Sequence, residues 1–81
     1  LALRKNPALR GKIREIVAMG GAVSGPGNVD KPFVGIRNSV AEWNIYLDPH
    51  AAQEVLASGV PLRLIPLEAT RSLPITPAFL D

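Results

Sequence analysis

Cysteine is absent from these 81 residues, so no disulfide staples the chain and no thiolate can act as nucleophile or metal ligand. Aromatics are scarce as well. Phe33, Trp43, Tyr46 and Phe79 are the whole supply, which leaves few large side chains to anchor a core. No apolar run approaches the roughly 18 residues of a membrane span. The start, Leu1-Ala2-Leu3-Arg4-Lys5, also lacks the charged-then-apolar order of a secretory signal. The chain therefore reads as soluble, without a membrane partner, and the missing thiols fit a cytoplasmic setting. Clustered acids are missing too: Glu15, Asp30, Glu42, Asp48, Glu54, Glu68 and Asp81 stand far apart with no Asp-x-Asp pair. Calcium asks for about six to eight oxygen ligands, so no metal site is expected in this segment.

What is present argues for a folded but incomplete α/β unit. A hydrophobic fraction of 47% against 20% charged residues argues against intrinsic disorder. A chain this short makes one small domain at most, and without staples its stability is marginal. Five of the nine cationic residues, Arg4, Lys5, Arg10, Lys12 and Arg14, crowd the first stretch. They lack interleaved aromatics and any nucleic-acid motif, so a solvated helix end and turn is the better reading and no nucleic-acid partner is expected.

Leu1 to Lys5 reads as the end of a helix, broken at Asn6-Pro7 because proline disfavours the α conformation in its predecessor. Ala8 to Lys12 reads as a turn. Ile13 to Ala18 becomes continuously apolar, as a parallel strand buried on both faces does, and Gly20-Gly21 ends it. Asp48 followed by Pro49 is a helix start, with the carboxylate as N-cap and proline at the first helical position. Ala52, Val55 and Leu56 share one helical face, and Gly59 stops the helix. Leu62 to Ile65 is a short strand between prolines, and Thr76 to Leu80 looks like the start of another helix, cut off at Asp81. Strand, connection, helix and strand make a βαβ-type portion of a mainly parallel, open sheet. The connection from Met19 to Leu47 lacks clear periodicity. Loops of that length are usually functional or disordered, and this one leaves the carboxyl end of the first strand, where open α/β sheets bind ligands. Residues 19–47 are therefore the candidate active-site loop.

Within that loop, Glu42 and Asn44 put a carboxylate and a carboxamide two residues apart, on one face if the backbone is extended. Such a pair can accept from and donate to sugar hydroxyls, and the carboxylate can offset positive charge on a ring carbon. On local chemistry alone, a solvated pair on an edge strand is the better reading. Asn28 after Gly27 is an ordinary turn asparagine, Met19 an ordinary core gap-filler, and Trp43, between Glu42 and Asn44, is expected to face the other way and pack inward. His50 falls on the polar side of a helix start, and Asp48 is explained as a cap.

The succession Ile16-Val17-Ala18-Met19-Gly20-Gly21, Gly27-Asn28, Ala41-Glu42-Trp43-Asn44 and Asp48-Pro49 resembles, in order, the nucleoside hydrolases, the inosine-uridine preferring N-ribohydrolases. The likeness runs from Leu1 through Thr70 yet covers only the middle of what that family needs, and the chain does not begin with methionine, so residues 1–81 read as a single fragment of a larger domain. The resemblance implies that Glu42, Asn44 and Asn28 bind ribose hydroxyls, that Met19 lines the pocket floor, and that the whole enzyme splits a ribonucleoside with water through an oxocarbenium-like transition state. It implies a calcium ion in the complete enzyme whose ligands lie outside this segment, and an active-site histidine beyond Asp81, so no residue here is expected to be catalytic and nothing carries over to His50. Partners implied are the ribonucleoside substrate and either identical subunits or the remainder of the enzyme. Two departures stand out. Glu68 sits where the family often has aspartate, which leaves its role open, and Asp30 to Arg37 looks like an insertion that puts the placement of Asn28 relative to Glu42 in question. Alternatives are a nucleoside- or sugar-binding module without catalysis, and a structural or interaction fragment.

Overall fold

The computed structural model describes residues 1–80; Asp81 lies outside them, and with it the cut-off point of the last helix. Two strands, β1 (Ile16–Met19) and β2 (Leu62–Ile65), run parallel, with Ile16 opposite Leu62 and Met19 opposite Ile65. Parallel neighbours need a crossover. Here it contains α3 (Pro49–Leu56), so the expected βαβ unit is present. The Asp48 carboxylate accepts from the Ala51 N–H at 2.9 Å and proline follows at the first helical position, as the cap signal predicts. Beyond α3, Gly59 takes a left-handed φ of 79°, which ends the helical direction and admits Val60 to the interior.

The first strand is shorter than its apolar run. Pro7–Lys12 winds into a 3₁₀ helix after α1 (Ala2–Lys5), and the Ile13 N–H is spent on the Leu9 carbonyl at 3.1 Å. Pairing begins only where the Ile16 N–H reaches the carbonyl of Pro61 at 2.8 Å, so Ile13, Arg14 and Glu15 stay outside the ladder. The strand is also not buried on both faces: Val17 is 56% exposed. On α3, Ala52 and Val55 are half-buried while Leu56 is exposed, so the expected apolar face is only partly covered.

The Met19–Leu47 connection carries more structure than its lack of periodicity predicts. It contains a 3₁₀ turn at Pro32–Val34, an antiparallel bridge between Lys31 and Ile36, and α2 (Trp43–Leu47). Pro32-Phe33-Val34-Gly35 closes the small hairpin because Gly35 accepts a φ of 80°. After β2 come α4 (Leu67–Arg71) and α5 (Pro77–Leu80), the latter where the sequence predicts it.

Among the described residues, only Val29, Val60 and Leu67 form a buried apolar core. The Cα radius of gyration is 15.5 Å, where a compact domain of this length has about 12 Å. Accessible surface is 6325 Å², against about 4,700 Å² for a compact monomer of this mass. The two-stranded sheet has open edges, and Val17, Leu64 and Ile65 on it stay exposed. Made alone, residues 1–81 are expected to associate through strand edges or to be largely unfolded at low concentration. Sedimentation velocity and circular dichroism across a dilution series check this, and a cooperative, concentration-independent melt of a monomer contradicts it.

Candidate functional site

The site is built where β1 ends. Met19 is the last strand residue, and the paired glycines that follow serve two separate needs. A Cβ on Gly20 would stand 3.2 Å from the Ile45 Cδ1 and 3.5 Å from a carboxylate oxygen of Glu42, so Gly20 lets α2 close over the strand end. Gly21, at φ 83°, turns its N–H onto Glu42 Oε2 at 3.1 Å.

Glu42 is 3% exposed, and its carboxylate accepts three backbone N–H bonds. Oε1 takes that of Asn44 at 2.9 Å, and Oε2 takes those of Gly21 and Ile45, each at 3.1 Å. Glu42 is thus the N-cap of α2, and the extended segment expected here is absent: only Glu42 itself is extended, and Trp43 to Leu47 are helical. Glu42 and Asn44 do not share a face through strand alternation, nor are they a solvated edge pair. They meet because the capping carboxylate folds back over the first helical turn. Burial pushes the Glu42 carboxyl up, but the N–H groups of Asn44, Gly21 and Ile45 together outweigh it and hold the group below the ordinary carboxylate range. It is a buried anion without a cationic partner, satisfied by peptide dipoles.

Asn44 is exposed, and its Nδ2 donates to the Met19 Sδ at 3.1 Å and, less closely, to the Met19 carbonyl at 3.4 Å. Met19 itself is 38% exposed beside it. Asn28 enters from the far side of the loop: its Oδ1 accepts from the Trp43 N–H at 2.7 Å, capping the same turn that Glu42 caps. Met19, Asn44 and Glu42 are therefore linked directly at the carboxyl end of β1, and Asn28 joins them through the main chain of Ala41 and Trp43 on either side of Glu42.

The long spacer between Asn28 and Glu42 does not separate them. Its neck is zipped by the Gly27 N–H to the Ser39 carbonyl at 2.7 Å and the Asn28 N–H to the Ala41 carbonyl at 2.9 Å. Asn38 Oδ1 adds bonds from the N–H groups of Val40 and Ala41. Asp30 to Arg37 projects beyond this neck, and fully buried Val29 plugs its base. The two backbones approach so closely at Gly27 that any Cβ there would collide with the Ala41 carbonyl oxygen and come 2.6 Å from its carbonyl carbon and nitrogen.

Trp43 does not pack inward. One residue along a helix rotates the side chain by about 100°, and Trp43 lies 39% exposed, stacked on Tyr46 with centroids 6.1 Å apart and planes 27° apart. His50 is exposed in the first turn of α3.

Two residues of α4 bear on the same loop, and their role was not legible in the sequence. Glu68 Oε1 accepts from the N–H groups of Val23, Ser24 and Gly25 at 2.9, 2.7 and 2.7 Å. Its own N–H together with those of Ser24, Gly25 and Val23 outweighs a smaller effect of burial and lowers its pKa to about 2. Arg71 donates to the carbonyls of Pro26 and Gly27 at 2.9 and 3.0 Å. The one available signal was the spacing of opposite charges at i and i+3 on a short helix.

Among the described residues, no three His, Cys, Asp or Glu side chains gather where they could hold a metal ion. Both oxygens of Glu42 and Oε1 of Glu68 are engaged by peptide N–H groups, and Glu68 Oε2, buried without a partner, has no cluster of other carboxylates beside it. The described acidic residues therefore do not make the roughly six to eight oxygen ligands calcium asks for. What remains is a rim of neutral amides around an ionised, buried carboxylate, with a thioether beside them. Glu42 has a lone-pair position left over from its three bonds, Asn28 its amide hydrogens and Asn44 its carbonyl oxygen, which together can both accept from and donate to neighbouring hydroxyls.

The family model described as inosine-uridine preferring nucleoside hydrolase matches residues 1–81. The pyrimidine-specific ribonucleoside hydrolase RihB of Escherichia coli is 46% identical over 77 residues, which is 95% of this chain and 22% of that protein. An uncharacterised protein of Schizosaccharomyces pombe is 45% identical over 73 residues, 90% of this chain and 21% of that one. The crystal structure of an inosine-uridine preferring nucleoside hydrolase from Bacillus anthracis superposes with a TM-score of 0.79 at 37% identity, covering 93% of this chain and 24% of the other. The chain thus spans about a quarter of the length of the proteins it matches.

Two outcomes follow from the geometry. Gly27→Ala in the full-length protein is expected to cost about 1–3 kcal/mol or more, since the collision is with backbone that cannot rotate away. The shift in denaturant midpoint measures it. The Glu68 carboxyl is depressed from 4.5 to about 2 on folding. A depressed acid stabilises the fold above its unfolded pKa and loses that contribution as pH falls through its folded pKa. The stability difference between wild type and Glu68→Gln should therefore be full above about pH 4.5 and vanish towards pH 2, which denaturation at a series of acid pH values will show.

Proposed function

Because the chain belongs to the inosine-uridine preferring nucleoside hydrolase family, we propose that it supplies the ribose-holding part of an enzyme that hydrolyses the N-glycosidic bond of ribonucleosides to ribose and free base. The observation that carries this reading is the single cluster of Met19, Asn28, Glu42 and Asn44 at the carboxyl end of β1, the place where open α/β sheets bind ligands. Asn28 and Asn44 hold ribose hydroxyls. Glu42, ionised at neutral pH and shielded from water, accepts from a hydroxyl and offsets the positive charge that develops as the bond to the base breaks. Met19 gives the sugar a soft apolar support.

These residues bind, orient and stabilise charge; none abstracts or delivers a proton at the scissile bond. Water activation and leaving-group protonation, and the calcium ion the resemblance implies, fall to parts of the protein outside this segment. The same resemblance brings a cytoplasmic location and assembly of identical subunits into the proposal. The likeness to a pyrimidine-specific hydrolase makes uridine the first substrate to assay, with inosine beside it.

Contacts that strengthen as the ribosyl cation forms act on kcat more than on substrate binding. In the full-length protein, Asn44→Ala is expected to lower kcat by about 10²-fold with a smaller change in KM. Asn44 is exposed, so the fold tolerates its truncation. Glu42→Gln, isosteric and uncharged, can keep the Gly21 and Ile45 bonds on its one oxygen while giving up that of Asn44, and should also act mainly on kcat, whereas Glu42→Ala loses all three. Wild-type kcat in both Asn44→Ala and Glu42→Gln would rule out the ribose-site assignment.

A further inference from the structure

The segment from Val23 to Gly27 forms neither helix nor strand, so the backbone polar groups of these residues must find partners elsewhere. Five of them find it on α4. Three consecutive N–H groups, of Val23, Ser24 and Gly25, converge on one oxygen of Glu68, an arrangement in which successive peptide dipoles attract an anion. The next two carbonyls, of Pro26 and Gly27, accept from the two terminal nitrogens of Arg71, whose planar fork matches a pair of neighbouring acceptors. Glu68 and Arg71 are one helical turn apart, and they hold opposite poles of one stretch of chain. The helix that carries them is itself anchored: Leu67 is 6% exposed and its N–H donates to the Gly21 carbonyl at 2.9 Å.

We propose that Glu68 and Arg71 are positioning residues for Asn28. They clasp the backbone immediately ahead of it and so set where its carboxamide stands at the sugar. The proposal rests on the reading of Asn28 as a sugar ligand. Arg71 holds the carbonyl of Gly27, the peptide through which Asn28 is attached, while the Asn28 N–H and Oδ1 are held from the other side by Ala41 and Trp43. Without the clasp only that second side remains, and the segment is free to swing about it. A misplacement of about 1 Å at a reacting centre can cost about 10²-fold in rate. Neither residue is assigned a contact with the nucleoside, and the clasp acts only through the chain it holds.

A double-mutant cycle in the full-length protein tests this, with kcat/KM for uridine and inosine as the readout. Arg71→Ala is expected to lower kcat/KM about tenfold when Asn28 is present. In an Asn28→Ala background it should change kcat/KM by no more than about twofold, because the group it positions is gone. Arg71→Lys, with the charge but not the fork, should recover only part of the loss. Glu68→Ala should show the same dependence on Asn28, with Glu68→Gln used in the cycle if Glu68→Ala does not fold. Amide hydrogen exchange at residues 23–25 should speed up in either Glu68 variant. Equal losses in both backgrounds mean a general structural role and overturn the proposal while leaving the ribose assignment intact, as does wild-type activity in Arg71→Ala and the Glu68 variant together. Full activity in Asn28→Ala instead overturns the assignment of Asn28 and the proposal with it.

Discussion

The buried carboxylate of Glu42 is the interaction on which the rest of this segment depends. It joins the turn leaving β1, through Gly21, to the first turn of α2, through Asn44 and Ile45. A carboxylate taken out of water is costly unless hydrogen bonds replace its hydration, and three backbone donors do so here without a cation. The anion is thereby kept charged while buried. A group in that state is rigid, because moving it leaves either an unsatisfied anion or unsatisfied N–H groups. Structural cap and candidate sugar contact are one carboxylate.

Polar interactions carry such weight because the apolar core is small. Val29, Val60 and Leu67 are its buried hydrophobic members, and none of them lies in a regular strand. The loop that bears Asn28 is therefore held by directed bonds rather than by packing: the neck at Ser39 and Ala41, the caps from Asn38 and Asn28, and the contacts from α4. Directed bonds specify position more sharply than apolar contacts, which tolerate sliding. Gly27 shows how tight the closure is, since the backbones of the two sides leave no room for a Cβ.

The exposed sheet edges and apolar side chains describe the other half of the energetics. Val17, Leu64 and Ile65 stand on strands and remain 38–56% exposed, which an isolated domain avoids. A chain that covers about a quarter of its relatives' length contains a candidate site cluster, while the sheet beneath it stays partly exposed among the described residues.

Local chemistry alone determined the elements whose signals lie within a few residues. Asp48-Pro49 dictated the start of α3, Leu62 to Ile65 between two prolines dictated β2, and the strand-helix-strand order dictated parallel pairing. The identities of Met19, Asn28, Glu42 and Asn44 as a group worth singling out were also legible, from their order along the chain and its likeness to a known family. What joins them was not. Glu42 caps its helix through the nearby N–H groups of Asn44 and Ile45, but its tie to the end of β1 is the N–H of Gly21, across the whole loop, and no local pattern encodes a partner that far away. Ile13 to Glu15 read as strand, but a strand needs a neighbour, and their place in the ladder was lost when Ile13 bonded to Leu9 instead. Glu68 and Arg71 carried no signal beyond their charges, because the groups they hold are main-chain atoms, which every sequence has and none displays. Tertiary structure decided those contacts, since only the folded path brings a carboxylate and the peptide dipoles of a distant turn into register.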